Sequence, residues 1–183
     1  CMDDDDLRRA RPTLHKVYGE ANAILAGDSL LTLAFELLGR LPEGGRLAFE
    51  LATAAGSRGV AGGQFEDLAS EGMTPSAGQL ALIHLHKTAK LIRAACRMGG
   101  IAAGAGTPAL EALGRYGERI GLAFQVADDL LNAVSTPETL GKAVGSDIAR
   151  GKMTYVALYG IERARREAAA LVTEAVAALK ILP

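Results

Sequence analysis

A chain of 183 residues can bury one sizeable core but not comfortably two. With 20 basic and 21 acidic side chains the net charge is −1, which excludes a nucleic-acid footprint spread over the whole fold. Cys1 and Cys96 have no second Cys or His at ligand spacing, so neither a disulfide framework nor a zinc site is expected, and nothing opposes a reducing, cytoplasmic setting.

Aliphatic residues and alanine supply the apolar content, Trp is absent, and β-branched or aromatic runs are rare. Strong helix formers without strand formers predict an all-α fold whose small side chains let helices approach closely. The chain opens on four carboxylates, Asp3 to Asp6, followed at once by Arg8 and Arg9. Two guanidinium groups within about two helical turns of a carboxylate block suit a diphosphate held by metal on one side and arginine on the other. A solvated, charged terminus accounts for the same composition.

Beyond Pro12, Leu14, Val17, Ala21, Ile24 and Leu25 recur at helical spacing, in a run that ends near Gly39. Pro42 opens a second helix, which runs to the glycines at Gly56 and Gly59. A short Gly- and acid-rich segment, "GVAGGQFEDLASEG", comes next. Thr74-Pro75 then carries a helix-start signature and leads into "QLALIHLHKTAKLIRAACRMGG". Glycines and alanines from Gly99 to Gly106 break that helix. Thr107-Pro108 repeats the start signal ahead of "ALEALGRYGERIGLAFQVADDLLNAV". Residues 135–150 are polar and Gly-containing, the best candidate for a loop or lid, and one last helix closes the chain. No apolar run is expected to reach the ~20 residues that span a membrane, and no linker divides the chain.

Gln125, Asp128, Asp129 and Asn132 fall at i, i+3, i+4 and i+7, one face of a helix. The residues among them (Leu122, Phe124, Val126, Leu130, Leu131) are apolar, which predicts a largely buried helix. Two carboxylates on a buried face need a cation. Oxygen ligands without Cys or His favour a hard ion such as Mg²⁺. Against this stands the ordinary solvated Asp pair. Lys87 lies among apolar residues next to the hydroxyl of Thr88, while Lys142 and Lys152 sit beside glycines in or next to the suspected loop. Mobile backbone there could close a point charge over an anion. Taken singly, each is better explained by a surface lysine. His15, His84 and His86 are assigned no catalytic role, and Phe35, Phe49, Phe65 and Phe124 are read as core.

In this order and spacing, "MDDDDLRRARPTLHKVYGEANAILAGDSLLTLAFELL", "GGQFEDL", "IHLHKTAKLIRAACRMGGIAAGA", "IGLAFQVADDLLN" and "TLGKAVGSDIARGKMTY" resemble the trans-isoprenyl diphosphate synthases, bacterial-type farnesyl and geranylgeranyl diphosphate synthases in particular. The resemblance implies a bundle of long antiparallel helices around an elongation cavity. It implies head-to-tail condensation of isopentenyl diphosphate with an allylic diphosphate (dimethylallyl, geranyl or farnesyl), dependent on three Mg²⁺, with Mn²⁺ as a substitute. The favoured product is farnesyl diphosphate, with geranylgeranyl diphosphate next. A homodimer is implied as well, with no nucleic acid and no membrane span.

By the same resemblance, Asp3 and Asp128 are metal ligands, and Asp3, Asp128, Asp129, Lys87 and Lys142 form the catalytic set. Arg8, Lys87, Thr88, Gln125, Lys142 and Lys152 surround the allylic diphosphate, and Arg9 faces isopentenyl diphosphate. Gln64 and Asp67 match a GQxxD motif that lines and supports the pocket. In the family two further aspartates precede Asp3, and a lysine, an arginine and a histidine lie upstream. The expectation is therefore a polyprenyl synthase domain over residues 1–183 that lacks its amino-terminal helices. Asn132 stands where a third aspartate is usual, and Ala10 and Val156 replace a usual glycine and proline, both expected to be tolerable packing changes.

A non-catalytic partner subunit is the alternative. Loss of Asp128 or of Arg8-Arg9 would favour it, and both are present; Asn132 is the one feature on its side. A terpene cyclase on a related helical fold would carry an Asn/Ser/Glu pattern in place of "DDLLN".

Overall fold

The computed structural model describes residues 2, 4–73, 76–134 and 152–182. Asp3, Lys142 and the suspected lid over 135–150 lie outside the described residues, as do Cys1 and the Thr74-Pro75 start signal.

The all-α expectation holds. The described helices are α1 (Leu14–Tyr18), α2 (Glu20–Gly39), α3 (Gly44–Ala55), α4 (Val60–Ala69), α5 (Ala77–His84), α6 (Lys90–Ala102), α7 (Thr107–Val134), α8 (Tyr155–Tyr159) and α9 (Ile161–Ala178). A π-helical turn, Leu85–Ala89, joins α5 to α6, and a 3₁₀ turn, Leu179–Ile181, comes after α9. Near the start of the chain lies a minimal antiparallel hairpin, β1 (Leu7–Arg8) against β2 (Arg11–Pro12).

Two runs read as single helices are each broken by a glycine in the left-handed region. Gly19 (φ 82°) separates α1 from α2, and Gly160 (φ 76°) separates α8 from α9. In both places a five-residue helix precedes a long one. Hydrophobic spacing survives such a break, so the period gives no warning of it. The start of α5 also shifts: Ser76 is the N-cap and its hydroxyl accepts from Gln79 N.

α7 is the organising element, packed against α6, the π-turn, α8 and α9. Close approach is enforced by missing side chains. A Cβ on Gly121 would lie 2.4 Å from Ala89 Cα, and one on Gly117 2.7 Å from Arg93 Cα. On the other side of α7, Ala123 and Val126 pack with Ala164 and Leu171 of α9, flanked by Tyr155 and Val156. A second cluster joins Leu47 of α3, Ile101 of α6 and Leu110 of α7. Arg97 of α6 and Glu50 of α3 tie those helices through an ion pair, Nη2 to Oε1 at 2.6 Å. The arginine holds the Glu50 carboxyl below its ordinary range.

Three expectations are corrected. Phe49, Phe65 and Phe124 are 66, 68 and 60 % exposed and are not core; aliphatic side chains and alanine pack the described interior instead. α7 is not buried along its whole apolar complement, because Leu131 is half exposed while Val126 is sealed. α2 does reach membrane-spanning length: 20 residues with mean hydropathy 1.4 in its most apolar window and none of that window buried. Asp28 interrupts the apolar run and conceals it from simple inspection. Length and composition alone pass this test, as they do for core helices of soluble proteins.

Candidate functional site

The π-turn decides where the candidate side chains go. A turn closed by i→i+5 bonds rotates the residues beyond it relative to an α-helix, and such turns recur at functional sites. Here it carries Lys87 and Thr88, and sends each to a different neighbour. Lys87 Nζ donates to Asp67 Oδ2 of α4 at 2.7 Å. Thr88 Oγ1 donates to Gln125 Oε1 of α7 at 2.7 Å. The sequence reads this stretch as uninterrupted helix; no residue type marks a π-turn.

From Gln125 the network continues inward. Its Nε2 donates to Asp129 Oδ1 at 3.2 Å, and Asp129 Oδ2 accepts from Tyr155 N at 2.6 Å. His84 Nε2 lies 3.3 Å from the same oxygen, with both side chains sealed from solvent. Thr88, Gln125, Asp129, His84 and the start of α8 are thus one connected unit. A buried carboxylate is tolerated when several donors meet it, and Asp129 has three. His84, assigned no role from the sequence, reaches out of its own helix to α7.

Asp128 behaves differently. Consecutive helical residues point about 100° apart, so the two aspartates cannot both turn inward. Asp128 stays half-buried, and it makes no hydrogen bond or ion pair among the described residues. Its oxygens remain open to a ligand, the state a hard cation requires. Asn132, by contrast, is sealed at 3 % exposure. It is part of the packing of α7.

The second lysine joins the first. Lys152 Nζ stands 3.5 Å from Asp67 Oδ2, so both ammonium groups address one carboxylate that is 5 % exposed. Gln64, one turn earlier on α4, has a buried side-chain nitrogen with no partner among the described residues.

The amino-terminal cluster is arranged otherwise than its sequence suggests. Arg8 and Arg9 lie on the exposed hairpin and not on a helix, and neither forms an ion pair with a described residue. The carboxylates are met by Lys16, whose Nζ is 3.0 Å from both Asp4 Oδ1 and Asp6 Oδ1. Lys16 was missed, because nothing in its spacing distinguishes it. Its hydrogen bond holds the Asp4 carboxyl below the ordinary range. Thr13 closes the hairpin, donating through Oγ1 to Asp5 O at 2.7 Å. Arg8, Asp4, Asp5, His15, Ile24 and Asp28 line an open cleft of about 660 Å³.

Arg9 (φ 52°) and Ala10 (φ 59°) occupy the left-handed region at the tip of the hairpin. The alanine at 10 is therefore a backbone matter and not the packing change expected of it. A non-glycine residue there costs about 1 kcal/mol. Val156 fits its expectation and packs beside the α7–α9 core.

Among the described residues no three His, Cys, Asp or Glu side chains gather into a metal cluster. Asp3, the other expected ligand, is outside them.

The sequence model described as polyprenyl synthetase matches residues 1–180. Farnesyl diphosphate synthase of Escherichia coli is 50 % identical over 190 aligned positions, covering 100 % of this chain and 64 % of that protein. A chloroplastic geranylgeranyl pyrophosphate synthase of Arabidopsis thaliana is 45 % identical, over 96 % of this chain and 51 % of its own length. Among solved structures, a Helicobacter pylori geranyltransferase complexed with magnesium and isoprenyl diphosphate superposes with a TM-score of 0.89 at 37 % identity, over 100 % of this chain and 61 % of that one. The geranylgeranyl pyrophosphate synthetase of Pyrococcus horikoshii superposes with a TM-score of 0.86 at 30 % identity, over 100 % of this chain and 68 % of that one. The chain thus spans between half and two-thirds of the curated relatives it matches.

Proposed function

Because the chain belongs to the polyprenyl synthetase family, we propose that the protein carrying it condenses isopentenyl diphosphate head to tail with an allylic diphosphate, with Mg²⁺ as the required ion. The observation that carries this reading is the meeting of Lys87 and Lys152 on Asp67, one residue from the Thr88–Gln125 contact that leads to the α7 aspartates.

The roles follow from the contacts. Asp128, with no competing donor, is a metal ligand together with Asp3. Bound magnesium would neutralise charge developing on the departing diphosphate, commonly the largest catalytic contribution. We expect three ions with bound diphosphate, and Mn²⁺ as a substitute. Lys87, Lys152 and Lys142 supply ammonium donors to the allylic diphosphate, and Arg8 a bidentate one. Arg9 is assigned to isopentenyl diphosphate. Gln125 and Thr88 border the same anion, held in place by Asp129 from behind.

In the reaction the allylic C–O bond breaks and its electron pair leaves with pyrophosphate. The isopentenyl double bond attacks the resulting cation to form the new C–C bond, and the proton lost from the adduct passes to the released pyrophosphate. Farnesyl diphosphate is the favoured product, geranylgeranyl diphosphate the next.

We assign the exposed apolar side chains of α2 (Ile24, Leu25, Leu30, Leu31, Leu33, Leu37), which lie around the helix in a single chain, to the interface of a homodimer. A cytoplasmic protein is the matching expectation.

The test is a product chromatogram from isopentenyl diphosphate offered with dimethylallyl, geranyl or farnesyl diphosphate separately. Chain-elongated diphosphates are expected, stopping at one length. No elongation from any primer would remove the activity and favour a non-catalytic subunit.

A further inference from the structure

Each residue from Lys152 to Tyr155 is tied to a different part of the molecule. Lys152 Nζ stands 3.5 Å from Asp67 Oδ2 of α4, and Tyr155 N donates to Asp129 Oδ2 of α7 at 2.6 Å. Thr154, with extended backbone (φ −120°, ψ 157°), caps α8, its hydroxyl accepting from Ala157 N at 3.1 Å. Among these polar residues sits an apolar one. Met153 is 4 % exposed, and its Sδ accepts from the backbone N–H of Ser76, the N-cap of α5, at 3.4 Å. A thioether is a weak acceptor, and its unbranched stem fills gaps that stiffer side chains leave. α5 runs on into the π-turn that carries Lys87, so the Met153 contact locates Lys152 against the same helical run as Lys87.

We propose that Met153 is a positioning residue for the allylic diphosphate, acting through Lys152 by seating the main chain that delivers its ammonium group. This rests on the diphosphate role proposed above for Lys152 and deepens it. With Met153 seated, the Lys152 backbone is one residue from a fixed point. Without it, the nearest main-chain anchor is Tyr155, three positions on, and a segment of that length can swing through about 10 Å. Displacements of about 1 Å already weaken the effect of a positioned group. An ammonium group that meets the anion both before and during bond breaking stabilises ground state and transition state alike. Losing its place therefore raises the Michaelis constant for the allylic substrate.

The test is a double-substitution cycle on the whole protein, read as calorimetric affinity for inorganic pyrophosphate with Mg²⁺ and as KM for each substrate. Met153→Ala and Lys152→Gln are each expected to weaken pyrophosphate roughly tenfold and to raise KM for the allylic diphosphate by the same factor, with KM for isopentenyl diphosphate within about threefold. The two together are expected to weaken pyrophosphate roughly tenfold as well, because a misplaced lysine and a missing one are equivalent. A roughly hundredfold loss in the pair, or unchanged affinity in Met153→Ala, overturns the proposal. A side chain that only supports the fold would lower the amount of active protein and leave both KM values in place, and that result overturns it too. If Met153→Ala does not fold, Met153→Leu keeps most of the volume and leaves Ser76 N without its acceptor. It is expected to weaken pyrophosphate roughly threefold, with no effect in the Lys152→Gln background, and an unchanged affinity overturns the proposal. Failure of the enzymatic reading is visible separately, as absence of turnover in the unmutated protein while the binding cycle keeps this pattern; no pyrophosphate binding in the unmutated protein overturns both.

Discussion

Around α7 the polar side chains are sunk between helices and tied to one another; around the amino-terminal hairpin they stand in solvent and are tied to Lys16. Asp129 has donors from three elements and 5 % exposure, whereas Asp4 has Lys16 and His15 and a side chain 72 % exposed. Both regions are acidic in sequence, yet only one is built into the core. Burial makes a charged group expensive unless its partners are fixed, so the α7 region has a defined geometry that each partner helps to set. Exposed ion pairs such as those of Lys16 are worth little and rearrange readily. The α7 side therefore holds a prepared arrangement, and the hairpin side supplies charges whose final positions a ligand can set.

Substitutions can break this contrast. The largest effect is expected at the open carboxylate: Asp128→Ala should lower turnover by roughly three orders of magnitude or more while leaving the helical circular dichroism intact. A rate within a few-fold of the unmutated protein would remove Asp128 from the chemistry. Next, Gly121→Ala forces a methyl against Ala89 Cα and should cost about 3 kcal/mol, read as a fall in the denaturant midpoint.

Glu50→Gln breaks a half-sealed ion pair and should cost about 2 kcal/mol. The same pair sets a pH dependence. Arg97 keeps the Glu50 carboxyl below its unfolded value in the folded chain. Its contribution is therefore present above an unfolded pKa of about 4.3 and is lost as pH falls through the lower folded value. The unmutated protein should lose more stability on acidification than Glu50→Gln does, measured as melting temperature against pH. The smallest effect belongs to the hairpin: Ala10→Gly should relieve left-handed strain and stabilise by up to about 1 kcal/mol. Destabilisation there would show that the hairpin tip is not strained.

How much of the molecule could be read in the sequence depends on what kind of signal each feature leaves. Helix content and the ends of α2, α6 and α7 follow from propensity and from glycine and proline punctuation, which are local. The breaks at Gly19 and Gly160 are local too, but a left-handed φ leaves no mark that separates it from an ordinary helical glycine. The π-turn at Leu85–Ala89 arises from packing of α4 and α7 against one segment, so no residue there announces it. Within the site, Asp128 and the lysines were legible as residue types. The inward turn of Asp129 was not, nor were two of its three donors, because they come from elements 26 and 45 positions away, at Tyr155 and His84. The exposed phenylalanines misled for a related reason. Glycine and alanine on α6 and α7 bring those backbones too close for an aromatic ring between them, and aliphatic side chains such as Leu47, Ile101, Leu110, Val126 and Leu171 fill the described core.

Divalent metal gripping a leaving diphosphate beside Asp128 is the condition on which the proposed chemistry depends. The most direct measurement is the rate of condensation of geranyl diphosphate with isopentenyl diphosphate as Mg²⁺ is added back to chelated protein. No product is expected in excess chelator, with turnover restored as magnesium returns; elongated diphosphate formed at full rate without divalent ion would contradict it.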